Sequence, residues 1–128
     1  MSLNIKLQEK RPNVFHAEIK GAIDSETHMD LEKALGDVIK ENTKALVLDM
    51  KGIDYVSSIG IRAIMWAKKT LEGYNASFSM VDMQPKIKNI FDMMKLLPIF
   101  DIFDDMPQAD KFIDQMIEEE LKRGSDAA

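Results

Sequence analysis

Two adjacent serines, Ser57 and Ser58, stand where an apolar strand pattern gives way to a helical one, and their position gives them chemistry. A hydroxyl at a helix start has two uses. It can cap the helix by accepting a free first-turn amide, which is worth about 1 kcal/mol and needs only one serine. The same amides and the helix dipole also favour a phosphate there, bound or covalently attached. A phosphoserine would add roughly −1.5 to −2 charge to a surface that a partner has matched to a neutral hydroxyl, an electrostatic on-off contact. Gly60 adds a second clue, because glycine in a first helical turn costs about 1 kcal/mol against alanine. That position is expected to need close backbone approach or clearance for another molecule.

Other chemistries find little support. The chain has no cysteine, hence no thiolate nucleophile, no disulfide and no Cys-type zinc site. His16 and His28 are too few for a multi-histidine metal site. His16 falls on the polar side of its strand pattern and His28 early in a helix, which suits surface or structural roles. A Ser-His-Asp hydrolase would set Ser57 or Ser58 in a Gly-x-Ser-x-Gly elbow with a base in reach, and no such pattern surrounds them. There is no phosphate-binding loop of the Walker or Gly-x-Gly-x-x-Gly kind. Asp104-Asp105 reads as an acidic turn ahead of the last helix rather than as paired acid-base carboxylates. The expectation is a protein that is not an enzyme, with no cofactor and no metal. Ten methionines are many, and flexible thioethers suit an adaptable partner surface. Met65, Met80, Met94 and Met116 fall on apolar stripes and are expected in the core, with Met93 as an exposed contact.

The elements that must position these residues follow from periodicity. Leu3, Ile5 and Leu7 alternate with polar residues, and after Arg11-Pro12-Asn13 the alternation resumes at Phe15, Ala17 and Ile19, predicting two strands joined by a turn. Met29, Leu31, Ala34, Leu35, Val38 and Ile39 predict a helix over 26–41, with Asp24, Ser25 and Thr27 available as caps. The apolar run from Ala45 to Leu48, ending at Asp49, predicts a central strand covered on both faces. Ile61, Ile64, Met65, Lys68 and Leu71 share one stripe of a helix that starts at Ser57 or Ser58 and stops near Gly73. A strand over 76–81 follows, then a helix opened by Pro85 and ended at Leu97-Pro98, a short edge strand within 99–103, and an amphipathic helix over 107–123. Residues 124–128 are expected as a flexible tail. This order predicts an α/β fold: a mixed four- to five-stranded sheet with about four helices and right-handed crossovers.

The chain of 128 residues is one domain, 1–128, long enough to bury a core without a staple. A net charge of −5 has the wrong sign for direct nucleic-acid binding. No apolar run approaches the roughly 18 to 20 residues of a membrane span, and the first residues lack signal-peptide regions. The expectation is a cytoplasmic protein with no membrane association.

Four stretches together resemble the STAS domain family of the anti-sigma factor antagonist type. The family's Gly-x-Leu-Asp is similar to Gly21-Ala22-Ile23-Asp24, and its Asp-Ser-Ser-Gly-Leu-Gly helix start to Ser57-Ser58-Ile59-Gly60-Ile61-Arg62. The strand before the serines, Ala45 to Asp49, matches. So does the later Pro-x-x-Lys-x-x-Phe helix, at Pro85-Lys86-Ile87-Lys88-Asn89-Ile90-Phe91. The resemblance covers about 3–118. Ser57 replaces the family's aspartate, Ile59 its second serine and Arg62 its second glycine.

What the resemblance implies is a phosphorylation-controlled partner switch. Ser58, with Ser57 as second choice, would be phosphorylated by an anti-sigma factor serine kinase, which the unphosphorylated domain binds. A metal-dependent serine phosphatase would reset it. The contact face would comprise Asp24, Ser57, Ser58, Gly60, Ile61, Arg62 and Met93, with room for a weak homodimer. The alternative is a STAS adaptor for a non-sigma target, a response-regulator-controlled switch or a transport-system subunit. Another class is a structural adaptor whose serines only cap.

Overall fold

In the computed structural model, which describes residues 3–126 and side chains through Arg123, the first alternations form an antiparallel hairpin, β1 (Asn4–Arg11) and β2 (Val14–Ile23). Pro12-Asn13 makes the turn, with Asn13 at φ 66°, a left-handed conformation that asparagine tolerates. The remaining elements are α1 (His28–Gly36), β3 (Ala45–Val56), α2 (Ser58–Gly73), β4 (Ser77–Val81), α3 (Pro85–Met93), a 3-10 turn (Leu97–Ile99), β5 (Asp101–Phe103) and α4 (Met106–Asp126). The sheet runs β1-β2-β3-β4-β5, parallel from β2 onward. Five strands and four α-helices make the mixed α/β sheet that the patterns predict.

Strand order equal to chain order has a consequence. Crossovers of one hand between successive neighbours put their helices on one face of the sheet. Accordingly Leu31 and Leu35 of α1, Ile64 and Leu71 of α2 and Ile87 and Phe91 of α3 bury against Ala17, Ile19, Leu46, Leu48 and Met80. The other face is left to the last helix, whose Ala109 and Ile113 cover Val14, Ala45, Val47 and Val81. Helix α4 packs mainly on β3, β4 and β5, and toward the β1–β2 hairpin it leaves an open groove.

The boundaries differ from the sequence reading where tertiary structure overrides periodicity. Helix α1 ends at Gly36 rather than 41, although Ile39 is buried. Thr43 accounts for this: its hydroxyl donates to the Val38 carbonyl (2.6 Å) and accepts from the Lys40 amide (3.0 Å), a local alternative to helix. Strand β3 does not stop at Asp49 but runs to Val56 with two bulges against β2. Each bulge adds one residue, so Met50, Ile53 and Val56 point inward at intervals of three instead of two. Helix α2 includes Gly73 and is closed instead by Asn75 (φ 59°), whose amide donates to the Glu72 carbonyl while that of Ala76 reaches Leu71. Lys95 (φ 57°) closes α3 in the same way, ahead of Leu97-Pro98. Helix α4 continues to Asp126, three residues into the expected tail; residues 127–128 lie outside the described residues. Met94 is exposed, not core.

Candidate functional site

The parallel strands β2 and β3 end side by side, and their last residues build one junction. Ile23 is the pivot. Its carbonyl accepts the Ser57 amide at 2.9 Å, which fixes the start of α2 against the end of β2. Ser57, at φ −84° and ψ 172°, is the N-cap, its Oγ accepting the Gly60 amide at 3.1 Å. Of the four first-turn amides, Ser57 and Gly60 are thereby used, and those of Ser58 and Ile59 are the free donors. Ser58 is the first helical residue, and it is exposed. Among the described residues its hydroxyl has no hydrogen-bond partner. The two serines therefore differ in kind: Ser57 is spent on the helix, and Ser58 is presented to solvent.

Asp24 follows Ile23 directly, so it stands one peptide from the Ser57 contact. Its Oδ1 accepts the amides of Glu26 (2.9 Å) and Thr27 (3.2 Å), and its own amide donates to Thr27 Oγ1 (3.0 Å). Thr27 in turn donates to the Ala22 carbonyl at 2.6 Å and is 1% exposed. The caps expected for α1 thus work differently. Thr27 occupies the N-cap position without a side-chain cap bond and instead locks the β2–α1 loop. Sequence reasoning missed this role and that of Gln84, whose Nε2 donates to the Lys51 and Ile53 carbonyls (2.7 and 2.9 Å) and ties the start of α3 to bulged β3. Neither carries a signal beyond a polar residue near a helix start.

Gly60 is explained by the chain itself. A Cβ there would stand 2.3 Å from the Ile23 carbonyl oxygen and 2.9 Å from the Ile23 Cγ2. Close backbone approach is the requirement, and the approaching group is β2, not another molecule. Gly60 and Ile61 (2% exposed) are buried, so neither belongs to an exposed contact face; the junction packs them inward. Arg62 is exposed and stands four residues after Ser58, one turn along the same helical face. Met93 is 83% exposed in the last turn of α3, about 12 Å of helix from Pro85. The junction brings together Asp24, Ser57, Ser58 and Arg62; Met93 belongs to a different element.

The histidines hold structural positions, one of them unexpected. His16 is buried, because the face that alternation gives to solvent is the one α4 covers, and its Nε2 lies 3.3 Å from Asp110 Oδ1. Burial pushes its imidazole below the ordinary value, with the Asp110 carboxylate opposing. The His28 Nδ1 is turned to Glu32 Oε2 at 3.5 Å. Asp105 caps α4 by accepting the Gln108 amide at 3.0 Å. Among the described residues no helix is long and apolar enough to cross a membrane.

A family model described as the STAS domain matches residues 6–109, from β1 to the first turn of α4. This chain belongs to the STAS domain family. Among its relatives, the anti-sigma-F factor antagonist RsfB of Mycobacterium tuberculosis is 30% identical over 91 residues, 71% of this chain and 74% of that one. Two solved structures share the STAS fold. One is an anti-sigma factor antagonist from Mycobacterium paratuberculosis, with TM-score 0.77, 21% identity and coverage of 87% of this chain and 93% of that one. The other is unphosphorylated SpoIIAA, an anti-sigma factor antagonist, with TM-score 0.73, 13% identity and coverage of 90% and 97%.

Proposed function

We propose that this STAS domain is an anti-sigma factor antagonist that works as a partner switch through Ser58. Unphosphorylated, it binds an anti-sigma factor that is also a serine kinase; phosphorylated, it releases that partner. The observation that carries the reading is the contrast at the helix start. Ser57 supplies the cap, so the exposed Ser58 hydroxyl is free to act as nucleophile without cost to the helix. The names of the relatives, anti-sigma factor antagonists in each case above, support the sigma-pathway assignment.

Chemically, the Ser58 oxygen attacks the γ-phosphorus of a nucleoside triphosphate held by the kinase, forming the serine ester as the bond to the β-phosphate oxygen breaks. The hydroxyl proton passes to a base on that kinase, and the diphosphate leaves. Free amides at Ser58 and Ile59 and the helix dipole accommodate the new charge, and Arg62 one turn on offers it a counter-ion. The helix therefore survives modification while the surface changes sign. At a contact closed against a neutral hydroxyl, the unmatched charge costs several kcal/mol, enough for release. A metal-dependent serine phosphatase hydrolyses the ester and resets the switch. Asp24, Ser57, Ser58, Arg62 and Met93 form the contact face. The domain itself catalyses nothing and acts in the cytoplasm.

Calorimetric titration of the partner kinase with three forms of the chain tests this. Ser58→Ala should bind as wild type does, and Ser58→Asp at least about 100-fold more weakly. Equal affinity of the two variants would overturn the reading in favour of serines that only cap.

A further inference from the structure

The half-covered face of the sheet holds an open cavity of about 500 Å³ between α4 and the β1–β2 hairpin. That size suits a small molecule. Strand register sets its walls. On β1, Lys6, Gln8 and Arg11 stand opposite Glu18, His16 and Val14 of β2, with Asp49 of β3 next to Glu18. Helix α4 faces them with Met106, Asp110 and Asp114, spaced four residues apart along one stripe. The sheet side thus carries Lys6, Lys10 and Arg11 together with Glu18 and Asp49, and the helix side is anionic.

His16 lies at the floor. Its side chain is 9% exposed, and its Nε2 faces the Asp110 carboxylate at 3.3 Å. At one end the walls meet directly, Arg11 Nη1 lying 2.5 Å from Asp114 Oδ1. Beyond that pair and the His16–Asp110 contact they do not. Among the described residues, neither Lys6 nor Lys10 has a carboxylate within ion-pair reach, and Asp49 has no cation.

A plain anion drawn to the lysines would meet Glu18, Asp49, Asp110 and Asp114 in the same cavity. A plain cation would meet Lys6 and Lys10. No group of three His, Asp or Glu side chains among the described residues is arranged to hold a metal ion. A molecule carrying both charges satisfies both walls, as the Arg11–Asp114 pair does at the end of the groove. We infer that this groove binds a small zwitterion of the amino-acid class, its carboxylate on Lys6 and Lys10 and its ammonium on Asp110 and Asp49. This is a ligand site separate from Ser58, on the face of the sheet opposite α2, and it stands whether or not the switch does.

The test is an amide-resolved NMR titration of the full 15N-labelled chain with the common amino acids one at a time, with acetate and ethylammonium as single-charge controls. At least one amino acid at millimolar concentration should give saturable shifts at Gln8, His16 and Asp110, with the two controls silent at equal concentration. The double variant Lys6→Gln, Lys10→Gln changes exposed strand positions that pack no core, and should weaken that binding at least about tenfold. Asp110→Asn, at a half-buried position of α4 that faces the groove, should weaken it as well. The inference is overturned if no amino acid produces saturable shifts there, if acetate alone reproduces them, or if the double variant binds as wild type does.

Discussion

At the junction of β2, β3 and α2, almost every polar group is used within the chain. Ile23, Ser57, Gly60, Asp24 and Thr27 hold one another through backbone bonds and side-chain caps, and among the described residues the Ser58 hydroxyl is left over beside the free amides of Ser58 and Ile59. In the groove under α4 the balance is reversed: Arg11–Asp114 and His16–Asp110 span the walls, while Lys6, Lys10 and Asp49 have no oppositely charged partner among the described residues. The comparison teaches two ways of preparing a site. Where the backbone determines geometry several times over, the one unspent group is presented in a fixed place, which suits a covalent mark read by a partner. Where opposite charges line a cavity without meeting, the fold leaves shape and charge for a small molecule to complete.

The junction is most vulnerable at Gly60. A methyl group there would collide with the Ile23 carbonyl, so Gly60→Ala should destabilise the fold by about 3 kcal/mol, the upper end for overpacking. Chemical denaturation measures it, and a loss under about 0.5 kcal/mol would mean that the junction is not tightly determined. Next in size, Ser57→Ala should cost about 1 kcal/mol through the lost cap. Ser58→Ala in the same assay should stay within about 0.5 kcal/mol, and a reversal of the two would exchange the serines' roles.

Gly73→Ala sharpens the contrast among glycines. Nothing lies within 4 Å of a Cβ at that position, so the substitution should stabilise the helix by about 0.5 to 1 kcal/mol. The smallest effect concerns the groove. The His16 imidazole is held below its ordinary value of 6.5 by burial, against Asp110 of α4 and with Lys10 and Arg11 of β1 reinforcing the shift. A depressed folded value means that the unfolded chain takes up the proton first as pH falls. Stability should therefore be complete above 6.5 and decline below it, toward the folded value. Thermal melts of wild type and His16→Gln across that range should show the decline only in wild type; parallel curves would assign it to another group.

Much of this is legible in the sequence, for physical reasons that also mark where legibility stops. Alternation at Leu3, Ile5, Leu7 and the run from Ala45 to Leu48 locate strands, because burial on one or two faces writes itself directly into residue type. The serines at the start of α2 are visible because caps are local. The cost of glycine at position 60 correctly signals a close approach, but the Ile23 carbonyl that makes it lies 37 residues earlier and leaves no mark of its own. Alternation gives His16 to solvent because a histidine in such a strand usually faces water. Only the topology, with α1, α2 and α3 on one face, shows that α4 must cross to the other and cover it. Burial of Ile39 extends the apparent helix past Gly36, since spacing cannot tell a buried turn from a buried helix when Thr43 offers a competing hydrogen bond.

The central claim is that Ser58 carries the mark and Ser57 the cap. Site-resolved phosphopeptide mass spectrometry on the protein isolated from its own cells, growing and stressed, tests it without the partner having to be identified. A phosphate on Ser58 whose occupancy changes with condition, with Ser57 unmodified, is the expected result. Full coverage of the peptide with neither serine modified in any condition, or with the phosphate on Ser57, would contradict it.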